Sequence, residues 1–462
     1  MYAWCVLLYE VVTTMSSRAG IRRPWAMAAV VCLSASAAFL GSRPPAAGAD
    51  AVGVTTLVSI SSEGVQGDNP SYFPSLSGNG RYVAFDSTAS NLVPGDTNAR
   101  HDAFVRDRAT GTTSRVSVSS SEAQSEGDPG EWEDGLETTP VISADGRYVA
   151  FATDAFNLVP GDTNFYTDVF VRDRQAGTTE RVSISSSGRQ GNGDSEGPVI
   201  SGHGRYVAFS STSTTLAPGG RDVGGVFVRD RTTKTLRRVS VNDHGVAGNG
   251  FSTGAAISAH GGTVAFQSAA TNLVPGDHNK LTDVFLRNPP GVTRRVSVSS
   301  AEIGANGNSS SPTVSAHGRY VAFVSAATNL VVGDTNSLRD VFVRDLKTGT
   351  TQRISVASDG SESNGDNTDA VISGDGRYVA FTSTASNLAP GGGLPTAYIR
   401  DRWTGTTSLV SVGDTGEATD GLIGSISISR DGHHVAFASS ATNLVPEDTN
   451  GYPDVFVRHT SP

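Results

Sequence analysis

The chain has 462 residues, 35 basic and 45 acidic side chains, and a formal net charge of −10. That acidic balance argues against nucleic acid or an anionic membrane surface as a partner. The only two cysteines are Cys5 and Cys32, so the rest of the chain can hold neither a disulfide nor a thiolate metal site.

In chain order, the first segment is a leader. Arg22 and Arg23 precede the apolar run from Ala26 to Leu40, and Pro44, Pro45 and Ala46-Ala47-Gly48-Ala49 follow. This is the order of a secretory signal with an Ala-x-Ala cleavage site, and the run is too short to span a membrane. The expectation is a leader over residues 1–49, with Met15 as an alternative start and an uncleaved anchor as the competing reading. Residues 50–462 are then one extracytoplasmic domain, secreted or associated with the cell envelope. Removing residues 1–49 takes away four arginines and one glutamate, and the net charge moves from −10 to −13.

A repeat dominates everything after the leader. Phe85, Phe151, Phe209, Phe266, Phe323, Phe381 and Phe437 lie 56 to 66 residues apart within similar segments. A fixed period of this size means one supersecondary unit copied around a ring or along a stack. In the copy at residues 140–187, Pro140 to Ser143 reads as a first strand. Ala144-Asp145-Gly146 is a tight turn, because Asp-Gly tolerates positive φ. Arg147 to Ala152 alternates as a second strand, Asp168 to Asp173 is a third, and Glu180 to Ser185 is a fourth. Four antiparallel strands per period make a propeller blade.

The last copy stops after its third strand, Val455 to Arg458, while a spare fourth strand, Thr55 to Ser61, precedes the first copy. Pairing the two removes both sheet edges. The expected fold is all-β: a seven-bladed β-propeller of four-stranded antiparallel blades, closed by the N-terminal strand completing the last blade.

Ser143-Ala144-Asp145-Gly146-Arg147-Tyr148-Val149-Ala150-Phe151 resembles the Ser-Pro-Asp-Gly-Lys-x-Ile-Ala-Phe signature of the WD40-like (PD40) repeats in TolB-type propellers. The resemblance covers about residues 55–458, with Ala or Gly at the proline of the signature. It implies a periplasmic or extracellular binding propeller.

The turns between strands one and two, and three and four, share one face and are short. The longer, polar loops between strands two and three and between blades share the other, and loops on a rigid scaffold carry function more often. That second face repeats Asp-x-Asn-x-x-x-Asp at Asp96, Asn98 and Asp102; Asp162, Asn164 and Asp168; Asp277, Asn279 and Asp283; Asp334, Asn336 and Asp340; and Asp448, Asn450 and Asp454. Blade three has Gly219-Gly220 and Gly225 instead, and blade six has Gly391-Gly392 and Thr396. Two readings stay open. Several hard oxygens on one short loop suit calcium, whereas Asp and Asn also bond their own backbone in Asx-turns.

Other signals are weaker. The first inter-blade loop carries Glu122, Glu126, Asp128, Glu131, Trp132, Glu133, Asp134 and Glu137, a solvated insertion or a contact for a cationic partner. Gly250-Phe251-Ser252-Thr253-Gly254 matches a hydrolase elbow, but it falls between antiparallel strands and not on a strand-to-helix turn. His203, His260 and His317 occupy short turns and read as surface residues. The repeated pairs Arg106-Asp107 and Arg172-Asp173 read as structural ion pairs or turn caps.

Near-equivalent blades favour a secreted, non-catalytic binding or scaffold propeller, calcium-stabilised on one reading. Its partner is a protein or cell-envelope ligand on the face of the inter-blade loops. Nucleic acid and stable membrane insertion are not expected, and the protein is expected to be a monomer. The alternative is an extracellular lyase or hydrolase acting on polysaccharide or peptide from the propeller funnel. Convergent Asp, His, Arg or Tyr side chains in the funnel would favour the enzyme, and small and apolar ones the binder.

Overall fold

The computed structural model describes residues 53–127, 138–217, 223–288 and 291–460. The leader, and Trp132 with the acids around it, lie outside the described residues. Among the described residues there is no helix, and seven four-stranded antiparallel sheets form the blades of a β-propeller. Blade one consists of Ser71–Leu76, Tyr82–Ser87, Asp102–Asp107 and Thr112–Arg115.

The ring closes as the sequence predicts. Thr55–Leu57 pairs antiparallel with Asp454–His459, Thr56 opposite Val457 and Leu57 opposite Phe456. It becomes the outer strand of the sheet formed by Ile423–Ile428, His434–Ser439 and Asp454–His459. The fourth strands are shorter than expected: Thr178–Arg181 in blade two and Thr55–Leu57 at the closure. After Arg181 the N–H groups of Val182 and Ser183 both turn to the Val169 carbonyl, at 2.8 and 3.4 Å. The ladder ends there, and the chain folds into a hairpin bridged between Ile184 and Gln190.

The repeating phenylalanine has a simple cause. Phe85 lies opposite Phe104 in the register of strands two and three, and their rings stack at 5.8 Å. Equivalent pairs recur in every blade, with Tyr398 opposite Phe381 in blade six. All of these rings are buried. Each pair packs on alanine and valine from the preceding blade. Phe151 and Phe170, for example, meet Ala84, Ala103 and Val105. Phe85 and Phe104 meet Ala436, Val455 and Val457, so the seam between blades seven and one is packed like the others. The hydrophobic core is thus a ring of inter-blade layers, as alternation of side chains across each strand requires.

On the short-turn face each blade rests on the next. Tyr82 lies between the guanidinium groups of Arg81 and Arg174 at 4.8 and 4.5 Å. A Cβ on Gly146, whose φ is +74°, would meet the Tyr82 ring at 2.1 Å. Gly146→Ala should therefore cost about 2–3 kcal/mol, backbone strain plus displacement of the ring. Gly161→Ala, with a similar φ of +79° and open space around it, should cost only about 1 kcal/mol. Equal losses in equilibrium denaturation would mean the tyrosine seat contributes nothing.

Candidate functional site

The Asp-x-Asn-x-x-x-Asp segments sit on the long-loop face, with the last Asp opening strand three. The structure brings the two acids of each copy together. In blade one Arg115, at the end of strand four, reaches Asp96 at 3.0 Å and Asp102 at 3.3 Å. Arg181 reaches Asp162 and Asp168 at 2.8 and 3.0 Å. Arg295 reaches Asp277 and Asp283 at 3.3 and 3.5 Å, and Arg353 reaches Asp334 and Asp340 at 3.5 and 3.4 Å. These arginines lie opposite the strand-three aromatic in each blade, Arg115 facing Phe104. Strand pairing alone brings the base to the acids.

The last acid is hydrogen-bonded on both oxygens. Asp102 is fully buried and accepts from the Ser117 hydroxyl, from Ser125 Oγ at 3.1 Å and from Asn98 Nδ2 at 3.0 Å. The asparagine makes the Asx-turn: Asn98, Asn279, Asn336 and Asn450 each accept from the N–H two residues on. Burial, then the charge of Asp102, pushes the Asp96 carboxyl up to about 6 despite Arg115, and burial does the same to Asp162 despite Arg181. A divalent ion in these four loops would have to displace a guanidinium.

Sequence reasoning named the acids and missed the arginines. The signal was present as a second repeat, Arg115-Val116-Ser117, Arg181-Val182-Ser183, Arg295-Val296-Ser297 and Arg353-Ile354-Ser355, 13 residues after each last Asp or 12 in blade four. Blade six loses both halves: Thr396 and Gly392 replace the acids, and Leu409 replaces the arginine. Blade three keeps Arg238 without its acids, and its guanidinium turns to the Gly224 carbonyl at 2.7 Å and to Ser240 Oγ at 3.1 Å.

The Arg-Asp pairs are not paired with each other. Neighbours on a strand face opposite ways, so Asp107 forms a two-pronged bond with Arg81 at 2.9 and 2.7 Å and caps the next turn through the Ala109 N–H. Arg106 instead crosses to the neighbouring blade and donates to the Ser61 carbonyl at 2.8 Å. Arg172, Arg344 and Arg400 make the same stitch to Ser119, Ser299 and Ala357. Ser252 of the elbow-like segment is buried with its hydroxyl 2.8 Å from Ser268 Oγ, a geometry without a base.

The central cavity, about 210 Å3, is lined by two rings. One is Leu76, Ile142, Ile200, Ile257, Val314, Ile372 and Ile428, the last residue of each first strand. The other is Gly78, Ala144, Gly202, Ala259, Ala316, Gly374 and Arg430. The second ring is stitched by a circular belt of backbone hydrogen bonds: Gly78 N–H to Ala144 O at 2.9 Å, Asp145 N–H to Gly202 O at 3.3 Å, Gly202 N–H to Ala259 O at 2.9 Å, and so around to Arg430 N–H on Gly78 O at 3.0 Å. At Gly78 the approach is close, since a Cβ there would meet the Ala144 carbonyl at 3.1 Å. His203, His260 and His317 lie exposed at the next position, around the mouth. His260 and His317 have ring centroids 5.7 Å apart, and His203 Nδ1 lies 3.5 Å from Asp145. Among the described residues no three His, Cys, Asp or Glu side chains cluster so that they could hold a metal ion, and no helix is long and apolar enough to cross a membrane.

No protein-family model matches the chain, and no curated protein matches it in sequence. Solved structures match it in shape. An oligogalacturonate lyase from Vibrio parahaemolyticus aligns with a TM-score of 0.51 at 12% identity, over 88% of this chain and 98% of its own. The β-propeller domain of the Trilobed protease from Pyrococcus furiosus aligns with a TM-score of 0.51 at 11% identity, over 84% and 95%. That domain is described as having an open velcro topology, whereas here the two ends of the ring share one sheet. A putative TolB from Agrobacterium tumefaciens aligns over 72% of this chain and 90% of its own at 15% identity, with a TM-score of 0.38. At such identities the likeness is one of fold: the protein is a seven-bladed β-propeller, an architecture that hosts many functions.

Proposed function

We propose that the protein is a secreted, non-catalytic binding or scaffold propeller of the TolB-like type, whose partner docks on the long-loop face. The observation that carries this reading is the distribution of exposed apolar side chains. Among the described residues Phe165, Tyr166, Phe251, Val332, Leu394, Leu422 and Tyr452 are exposed on loops of that face, whereas Val65, Val246 and Ile303 are exposed on the hairpins that follow the fourth strands and Trp403 on the opposite face. Uneven apolar exposure of this kind marks interaction surfaces. Apart from Arg430 the central cavity is lined by small and apolar side chains, which supports the same reading, because acid–base chemistry needs several convergent titratable groups.

The test uses residues 50–462 as bait on envelope extracts, alongside Phe165→Ser/Val332→Ser and Trp403→Ser. A specific partner should lose at least about tenfold in affinity to the loop-face pair and nothing to Trp403→Ser. Equal retention by all three would remove the assigned face. Assay on oligogalacturonates and on peptides covers the rival enzyme: turnover abolished by substitutions in the cavity would replace the binding reading. N-terminal sequencing of the exported protein tests the leader, with Asp50 the expected first residue.

A further inference from the structure

The five acidic loops are not equivalent, and the exception lies at the seam. In blades one, two, four and five a guanidinium stands between the two carboxylates. The fourth strand of blade seven comes from the N-terminal segment, and there Leu57 holds the place of Arg115: Leu57 lies opposite Phe456 as Arg115 lies opposite Phe104. The acids remain. Asp454 is fully buried and Asp448 is 8% exposed.

Gln66 fills the gap only in part. Its Nε2 donates to Asp448 Oδ1 at 2.8 Å and to Asp454 Oδ2 at 2.7 Å. An amide offers two hydrogens and no charge. The second oxygen of Asp448, Oδ2, is buried with no hydrogen-bond partner, and Asp420 adds a further negative charge nearby. Asp334 of blade five also lacks hydrogen bonds on its carboxylate, but the Arg353 guanidinium lies 3.5 Å away. Among the described residues, the seam is the one acidic loop whose two buried carboxylates face each other without a cation, which is a costly arrangement.

We infer that the Asp448–Asp454 pair of blade seven is a binding site for a hard divalent cation, calcium, which takes the place of the arginine found in the other acidic loops and ties the closing segment to the last blade. The unpartnered Oδ2 of Asp448 and the carboxylate of Asp454, from which the Gln66 and Asn450 amide N–H groups would withdraw, are with main-chain oxygens and water the donor set such an ion takes. The closing segment is tied directly into this loop: Ser59 donates its hydroxyl to Asp454, Gly67 O accepts from Asn450 Nδ2 at 2.8 Å, and Gln66 Oε1 accepts from the Thr449 N–H at 3.0 Å. This site is independent of the binding role proposed above.

The test is thermal melting and titration calorimetry at pH 7.5 with calcium chloride or chelator, on the parent, Asp448→Asn and Leu57→Arg. Calcium should raise the melting temperature of the parent by at least about 2 °C and bind with a stoichiometry of one. Asp448→Asn should abolish both effects. Leu57→Arg should melt at or above the calcium-free parent and ignore calcium. If Leu57→Arg does not fold, Asp448→Asn decides alone. A parent that ignores calcium, or an Asp448→Asn variant that responds as the parent does, overturns the site.

Discussion

A chain beginning at Asp68 should not fold to a monomeric propeller, although it keeps every strand of blades one to six and three of the four strands of blade seven. The missing segment supplies Thr55–Leu57, and it also supplies Val58, buried between blades seven and one. Ser59 goes with it: its Oγ accepts the Val455 N–H at 3.1 Å and donates to Asp454. Its loss uncovers Val455 and Val457 along a strand edge, and an unpaired apolar edge is a template for aggregation. Thr55, whose hydroxyl bonds Arg458 at 2.8 Å and the Val412 carbonyl at 2.8 Å, leaves with it and releases the outer wall of blade six from blade seven. Closure of a ring is cooperative, so the expected loss exceeds that of any single side chain. The expected result is soluble aggregate or dimer in size-exclusion chromatography, and restoration of a monomer by a peptide covering residues 50–67. A monomeric truncated chain melting within about 3 °C of the parent would mean the closing strand is ornamental.

The architecture was legible because ring closure and strand register depend on short-range patterns. The period of the phenylalanines, the Asp-Gly turns and the orphan strand Thr55 to Ser61 are all visible as local residue types. Strand three of blade two spans Asp168–Asp173 as expected. What stayed hidden depends on pairs that meet only after folding. Arg181 is 13 residues from Asp168 and 19 from Asp162, and nothing local links them. Aligning the copies would have exposed the link, since blade six loses acids and arginine together. The Asp of the Arg106-Asp107 pair is the structural ion pair and turn cap expected, but its partner is Arg81 and not Arg106, because adjacency in sequence means opposite faces on a strand. The belt around the cavity was invisible too: Gly78, Gly202 and Gly374 look like ordinary turn glycines until their inter-blade hydrogen bonds are traced. At the seam two repeated positions change together. His434 replaces the usual tyrosine and stacks on His459 at 4.7 Å, and Leu57 replaces the usual arginine.

Replacing the guanidinium of blade two, Arg181→Met, should cost about 3–5 kcal/mol at pH 7.5, the usual price of leaving buried charge unpaired. The side chains of Arg181, Asp162 and Asp168 are 7%, 4% and 1% exposed, so water cannot take over. Adding Asp162→Asn should recover most of the loss, since it approaches the arrangement blade six adopts with Leu409 and no acids. Acidification should recover part of it as well, and the sign follows from where each pKa moves. Asp96, Asp162 and Asp454 are raised to about 6, chiefly by burial. The folded state binds their protons more tightly, so their contribution is full below about 3.8 and is lost as pH rises through 6. His434, lowered to about 4 by burial and then by Arg108, acts the other way in the same window, and it offsets about one of the three. Below pH 4 the balance reverses. Asp173 and Asp230, held at about 2 chiefly by hydrogen bonds from Arg147 and Arg205, stabilise above their unfolded pKa and lose that contribution as pH falls toward 2. The parent should therefore be most stable between about pH 4 and 5, and the deficit of Arg181→Met should shrink by more than half between pH 7.5 and pH 5. Urea denaturation at pH 7.5, 5 and 3 reads both effects, and a pH-independent deficit would show that the arginine acts by packing alone and not as the counter-charge of two buried acids.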